Sequence, residues 1–314
     1  MELREKIKAL YGKSDIYVDM AVRFMIVFAA LLLLKDRIGT FEILNNLFII
    51  AVISLVCSML PYGLIAAVLS VCLLLQSFGV SMLMTAVLAV LLLVIAVLYY
   101  SFEPGDSVVL ILTPIMFALY IPYVLPVMVG LTCTPVSVIP LTFGIVVYYV
   151  LQYMMGNAGA MAGEELLDMA RRLPDLLKNM TANKEMWLIA AIFAITVIVV
   201  YVLRRMSFNY SQYIAIAAGL VLLLILTFIG TVRFGTDVRL SRVLIQVLLS
   251  GVIAVIYNFF VFSVDYSRTE RTQFQDDDYY YYVKAVPRNS VKMADSKVQT
   301  FSSGTRRQDG DARK

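Results

Sequence analysis

Apolar residues fill most of this chain in long runs, and the lengths of these runs predict membrane-crossing helices. A helix needs about 20 mainly apolar residues to cross the hydrocarbon core of a bilayer. Several runs approach or exceed that length, both in the first third of the chain and after residue 185. We place spans at residues 17–34, 43–60, 63–78, 81–100, 186–203, 210–232 and 243–264.

The stretch 107–155 is equally apolar but is repeatedly interrupted by proline. It is too long for two simple helices, and a proline inside a helix removes a backbone hydrogen bond and clashes with the preceding turn. We therefore expect three segments here, at least one of them half-length or kinked. The total is about ten spans, with eight or nine as alternatives. The predicted fold class is an all-α, polytopic transmembrane helix bundle.

Polar segments flank and divide this apolar body. Residues 156–185 are a linker and an amphipathic surface helix, because apolar residues recur from 164 to 185 at three- and four-residue spacing opposite charged ones. The tail is polar, with a predicted strand in its tyrosine-rich part, ended by Pro287, and disorder beyond Asn289. The predicted division is 1–16 (basic), 17–155 (apolar), 156–185, 186–264 (three spans) and 265–314 (mostly disordered tail).

Charge is scarce where the chain is apolar. The chain is 61% hydrophobic and 15% charged, with a mean hydropathy of +0.84. Between residues 43 and 163 the charged side chains are Glu103 and Asp106, which share one short turn. An ionised group at the centre of a bilayer costs about 2.5–3.5 kcal/mol on insertion scales. The lipid bilayer is therefore the expected partner of this region.

The remaining charges favour a membrane setting over nucleic-acid binding. The net charge is +4, but the basic residues lie mainly at the ends and in a few loops. Their distribution, with an even number of spans, predicts that both termini are cytoplasmic. Because the first apolar run follows a charged segment and continues into further runs, we expect no cleavable signal peptide.

Residue chemistry argues against an enzyme. The chain has no histidine, which is the commonest general acid or base near neutral pH and the commonest metal ligand. Its three cysteines, at 57, 72 and 133, lie inside apolar runs without the close pairing of a zinc site. No glycine-rich phosphate loop is present. We predict no catalytic residue, no metal and no cofactor, and any ATPase that drives the protein must be a separate chain.

The proline cluster is the candidate pathway. In lipid, a carbonyl freed by proline needs a protein or water partner, so broken helices are tolerated where they are buried or line a cavity. Transporters build substrate sites from such interruptions. Alternatively, the prolines mark loop edges, and the nearby hydroxyls bond to their own helices. The candidate residues are Pro114, Pro122, Pro126, Pro135, Pro140, Thr113 and Thr132.

The acidic and tyrosine-rich block of the tail is the candidate partner-binding site. It consists of Asp276, Asp277, Asp278, Tyr279, Tyr280, Tyr281 and Tyr282. An extended Tyr-rich segment can add a strand to the sheet of a cytoplasmic protein, with the aspartates giving electrostatic register. Alternatively, the tyrosines rest among lipid headgroups.

The block that runs from Gln275 to Pro287, QDDDYYYYVKAVP, resembles the C-terminal signature of a group of multi-span membrane proteins of Gram-positive bacteria. Some members of this group are labelled ABC transporter permeases. The resemblance covers about a dozen residues of the tail and only the general pattern of the apolar body. It implies a bacterial plasma membrane and carries over no binding residue.

Two function classes remain open. The first is a permease-like transport component for a neutral or amphiphilic substrate. The second is a non-transporting membrane scaffold that recruits cytoplasmic or envelope-assembly partners through its tail.

Overall fold

The computed structural model describes residues 15–102, 106–157, 174, 178, 182–206, 210–235, 240–261, 270–275 and 280–285. The chain divides into two compact units, Met1–Val261 and Phe262–Lys314. The helices belong to the first unit and a two-stranded sheet to the second. The predicted surface helix at 164–185 lies almost entirely outside the described residues, as does the tail beyond Asn289.

The first unit contains eleven α-helices within its described part. They are α1 (Asp15–Arg37), α2 (Glu42–Asn45), α3 (Leu47–Ser58), α4 (Tyr62–Phe78), α5 (Met82–Phe102), α6 (Ser107–Ala118), α7 (Val124–Thr132), α8 (Val138–Gly156), α9 (Lys184–Arg204), α10 (Ser211–Phe234) and α11 (Leu240–Val261). A 3₁₀ turn, Pro135–Ser137, leads directly into α8.

Five of these helices are long and apolar enough to cross a membrane: Ile16–Arg37, Pro135–Gly156, Lys184–Arg204, Ser211–Phe234 and Ser241–Phe259. Shorter apolar helices are Leu47–Ser58, Tyr62–Phe78, Met82–Leu98 and Ser107–Ala118. Large apolar side chains also cover the outer surface, as at Val90 (64% exposed), Leu93 (64%) and Val232 (71%). Such a surface is suited to lipid. The all-α bundle is confirmed for the first unit, whereas the count of ten spans is not.

The region 107–155 forms three segments, as the prolines predict, and two of them are short. Helix α6 has 12 residues and α7 has nine, or about 18 Å and about 14 Å of rise. Neither length reaches across a hydrocarbon core of about 30 Å. These two helices are therefore among the predicted spans that the structure does not confirm.

Helices α6 and α8 run parallel from a common end. Ser137 Oγ donates a hydrogen bond to Asp106 Oδ2 where both helices begin. About two turns further on, Gly144 packs against Thr113, and about three turns further on the ring of Tyr148 lies 4.8 Å from that of Phe117. Each pair has the same separation along the chain. Helix α6 thus ends level with the middle of α8.

Helix α7 returns to the end from which α6 started. It is parallel to α9, because Tyr123 contacts Phe193, Gly130 packs against Val200, and Arg204 reaches the carbonyl of Cys133. Helices α6 and α7, with the turn between them, are a re-entrant hairpin spanning residues 107–132. Its apex, residues 119–123, lies level with the middle of α8, and Leu119 and Tyr120 in it are exposed.

The other helices alternate in direction between two ends of the bundle. The Asp106 end also holds Ser137 and Arg204, and the Thr40 end holds Gln76 and the last turn of α8. Helices α1 and α4 are parallel, because Arg23 bonds to Leu60 O near the start of α4 while Thr40 bonds to Gln76 near its end. Helix α1 begins, and α11 ends, at the Asp106 end.

The predicted span 43–60 is not one continuous helix. It is divided into α2 and α3 at Asn46, whose side chain accepts from Phe48 N at 2.9 Å. Hydrogen bonds around Gln76 connect the segment before the break to α4; they involve the Thr40 hydroxyl, the Phe41 backbone N–H and the Asn45 side chain. Gln76 is buried; it accepts from Phe41 N at 3.0 Å and donates to Asn45 Oδ1 at 3.1 Å.

The second unit contains an antiparallel pair of strands, β1 (Glu270–Gln275) and β2 (Tyr280–Ala285). The register pairs Glu270 with Ala285 and Gln275 with Tyr280. A strand in the tyrosine-rich block is therefore confirmed. Its partner β1 was not predicted, because Glu, Arg, Thr and Gln give β1 little of the apolar pattern that marks a strand.

Candidate functional site

A cavity of about 340 Å³ lies between α1, α4, α5, α6 and α8. This volume is in the range of small-molecule sites in proteins. The walls are mostly apolar, and α4 and α5 contribute small residues, including Ala66, Ala67 and Ala96. Apart from Ser70 on α4, whose hydroxyl donates to Ala66 O, the polar lining residues lie on one side: Arg37, Tyr120, Tyr148 and Gln152. The cavity is thus amphipathic.

The apex of the re-entrant hairpin forms part of this polar side. Tyr120 has φ +62°, in the left-handed region that non-glycine residues seldom adopt, and it reverses the chain at the end of α6. Arg37 Nη2 donates to Ala118 O at 3.1 Å and to Tyr120 Oη at 3.4 Å. Gln246 Nε2 donates to Tyr120 O at 2.7 Å. Side chains from α1 and α11 therefore satisfy carbonyls that the end of α6 leaves open.

The other end of the hairpin has a second arginine. Arg204 Nη2 donates to Cys133 O at 2.8 Å, just beyond the last turn of α7. Its guanidinium also lies 5.0 Å from the ring centroid of Tyr201. A cation at a helix C-terminus is favourable because the backbone dipoles leave partial negative charge there. Both half-helices thus end against an arginine.

Aromatic rings fill the space beside the apex. Phe117 is central: its ring centroid lies 4.8 Å from Tyr148, 6.2 Å from Tyr149 and 6.0 Å from Phe193. Tyr149 Oη donates to Glu185 Oε1 at 3.1 Å, which satisfies the one polar atom of this buried side chain. The cluster fixes the side of the hairpin apex that faces α8 and α9.

The predicted pathway residues do not gather in one place. Pro114 is inside α6 and lines the cavity; having no N–H, it cannot bond to the carbonyl of Leu110, which also lines the cavity. Four prolines begin or precede helical segments: Pro122 in the apex, Pro126 in the first turn of α7, Pro135 in the 3₁₀ turn and Pro140 in the first turn of α8.

The two predicted threonines bond to their own helices. Thr113 Oγ1 donates to Val109 O at 2.7 Å, and Thr132 Oγ1 donates to Met128 O at 2.8 Å. This is the alternative that the sequence left open. Of the predicted tail site, Tyr280, Tyr281 and Tyr282 belong to β2, and the residues from Asp276 to Tyr279 lie outside the described part.

The polar residues of the cavity were missed as a group. Arg37 looked like an ordinary basic end of an apolar run, and Gln152 like one amide among several. The sequence offered one indication: polar residues are rare in and beside the apolar runs, so each of them could have been considered as a site residue. Among the described residues, no cluster of three or more His, Cys, Asp or Glu side chains is placed to hold a metal ion.

Together these features define a class, a helical membrane protein with a re-entrant hairpin beside an amphipathic cavity. Comparison with protein-family models, with curated proteins and with solved structures gives no match.

Proposed function

We propose that this protein is a permease-like transport component of a bacterial plasma membrane that binds an amphiphilic substrate in the cavity between α1, α4, α5, α6 and α8. The observation that carries the proposal is the composition of the cavity wall, apolar over most of its surface and polar at Arg37, Tyr120, Tyr148 and Gln152. An amphiphile needs both surfaces. A dry void has apolar walls, whereas the polar groups of this wall need a partner, either water or the polar part of a ligand.

The position of the cavity supports passage as well as binding. It lies between α1, α4 and α5 on one side and α6 and α8 on the other, and the two groups pack directly against each other beside it. A change in this packing would open or close the cavity. The re-entrant hairpin reaches the cavity from the Asp106 end and ends level with the middle of α8. Half-length helices of this kind surround substrate sites in transporters.

The test is movement of an amphiphile across a bilayer that contains the purified full-length protein. Fluorescent single-chain amphiphiles are placed in liposomes, and their transfer between leaflets is followed by chemical quenching from outside. The wild type should accelerate transfer. Ala66→Phe, which fills the cavity, should abolish the acceleration, and Ala191→Phe, on an exposed position of α9, should retain it. Transport through this cavity would be refuted if the wild type and both variants gave the same transfer rate. It would also be refuted if the wild type gave the same rate as protein-free liposomes.

A scaffold is the second candidate, and one observation favours it. The tail unit is compact by itself and contains only two paired strands in its described part. An isolated two-stranded sheet is marginally stable in water, and its outer edges can accept a strand from a partner. If the protein is a non-transporting scaffold, the full-length protein should not accelerate amphiphile transfer, and removing residues 262–314 should eliminate co-purifying cytoplasmic proteins. Accelerated transfer, with the same co-purifying proteins before and after the truncation, would contradict the scaffold.

A further inference from the structure

We propose that the amphiphile held in this cavity is a membrane lipid or lipid-like molecule with an anionic head, whose phosphate or carboxylate binds Arg37. Its apolar chain lies along α4 and α5. This inference rests on the proposed function and narrows it, because the cavity alone admits neutral, anionic and cationic heads.

Arg37 has hydrogen-bonding capacity left over. A guanidinium carries five N–H donors. In the described part of the protein, Arg37 donates only through Nη2, to Ala118 O and more distantly to Tyr120 Oη. Its Nε and Nη1 groups make no hydrogen bond with any described residue. A planar fork of donors matches the paired oxygens of a phosphate or carboxylate.

Among the described residues, no carboxylate forms an ion pair with Arg37. The ion pair that the described residues contain joins Arg23 to Asp19, near the opposite end of α1. The neighbouring Asp36 is exposed, and no residue that lines the cavity is acidic. A cationic head would be repelled here, and a neutral head would leave an unpaired charge beside an apolar cavity.

The groups beside Arg37 suit the same head. Tyr120 and Tyr148 present phenolic hydroxyls, and Gln152 presents an amide, on the cavity wall. Each can donate to an anionic oxygen. Further along the wall, Gly63, Ala66 and Ala67 remove side-chain volume from α4, which leaves room for an alkyl chain. The polar and apolar parts of the ligand are thus assigned to separate parts of the cavity.

The experiment compares three photoactivatable probes that share one dodecyl chain and differ in the head: phosphate, maltoside and trimethylammonium. Each is bound to the full-length protein in nanodiscs of neutral lipid, and the crosslinked residues are mapped by mass spectrometry. The phosphate probe should bind about tenfold tighter than the maltoside probe or more, as expected for hydrogen bonds to a charged group. Its crosslinks should fall on α4 and α5.

Variants assign the preference to Arg37. Arg37→Gln should lower the affinity for the phosphate probe to that for the maltoside probe, and Arg37→Lys should keep part of the preference because it keeps the charge. Arg23→Gln, which alters the paired arginine at the other end of α1, should have no effect. If Arg37→Gln does not fold, Arg37→Lys and the wild-type comparison of heads decide the matter.

Two results would overturn the inference. Equal binding of phosphate and maltoside probes by the wild type, with crosslinks still in the cavity, refutes the anionic head and leaves the proposed function standing. Full competition by millimolar inorganic phosphate would show a site for a free anion and not for a lipid. Failure of all three probes to crosslink within the cavity would count against the proposed function itself.

Discussion

Two arginines fix the carbonyl ends of the half-helices α6 and α7. Arg37 bonds to Ala118 O and Arg204 to Cys133 O. Charged residues are rare in the apolar part of this chain. Both of these arginines lie where a helix end leaves backbone carbonyls without intrahelical donors. Each guanidinium also lies over a tyrosine ring, Arg204 over Tyr201 at 5.0 Å and Arg37 over Tyr120 at 5.6 Å. The two differ in that Arg37 borders the cavity.

Replacing Arg204 should weaken the attachment of α7. Arg204→Gln removes the donor to Cys133 O, and a carbonyl left without a partner costs about 1–3 kcal/mol. We expect a lower thermal unfolding temperature for the purified protein in detergent. Arg205→Gln is the matched control, because Arg205 contacts the same Tyr201 ring at 4.7 Å. Equal losses in the two variants would mean that the ring contact, and not the hydrogen bond, matters.

Gly144 should be equally sensitive, for a steric reason. A Cβ at this position would lie 2.5 Å from Thr113 Cβ, so Gly144→Ala forces α6 and α8 apart. Overpacking of this kind costs about 1–3 kcal/mol. Gly156→Ala provides the control within the same helix, since a Cβ there meets nothing within 4 Å. The thermal unfolding temperature should fall for Gly144→Ala and not for Gly156→Ala. Equal unfolding temperatures for the two variants would refute the close contact between α6 and α8.

Among the elements, the re-entrant hairpin was partly predictable. Proline disrupts a helix locally, so the prolines between residues 104 and 140 predict three segments, of which at least one is short or kinked. The depth of the apex could not be read in this way. It depends on partners such as Arg37 and Ala118, which are 81 residues apart, and on Gln246, which is 126 residues from Tyr120. The polar residues of the cavity are also far apart in the sequence, on α1, the apex and α8, so the cavity could not be predicted from local patterns.

The depth of the apex can be measured directly. A nitroxide attached at Leu119→Cys, in a chain whose own cysteines are replaced, should be accessible to oxygen and poorly accessible to a polar nickel complex, because α6 ends level with the middle of α8. Labels at Phe41 and Met59, at opposite ends of the bundle, supply the reference for shallow positions. A Leu119 label as accessible to nickel as the label at Phe41 would contradict the re-entrant geometry.

For the helical unit, the hairpin brings no net change of end. Helices α6 and α7 return to the end of the bundle where they start, and α1 begins at the end where α11 ends. The sequence predicted about ten spans, at least one of them half-length or kinked, and the structure does not confirm that count. The cytoplasmic placement of both termini stays a prediction.

Sidedness gives a test at this scale. Ala182, just before α9, and Met206, just after it, lie at opposite ends of the bundle and are both exposed. With single cysteines in these positions, an impermeant maleimide applied to intact cells should label one of them and not the other. Met59→Cys should behave like Met206→Cys. Labelling of Met59 and Met206 from different sides would refute the alternation of helices described here.

The short hairpin also constrains how this protein is made. Helices of 12 and nine residues cannot be released into lipid as independent spans while the ribosome is still at work. Arg37 is already synthesised when the hairpin emerges, but Arg204 and Gln246 follow only much later. Residues 107–132 must therefore stay sheltered until α9 and α11 arrive, so membrane integration is completed by the last helix and does not proceed strictly in chain order.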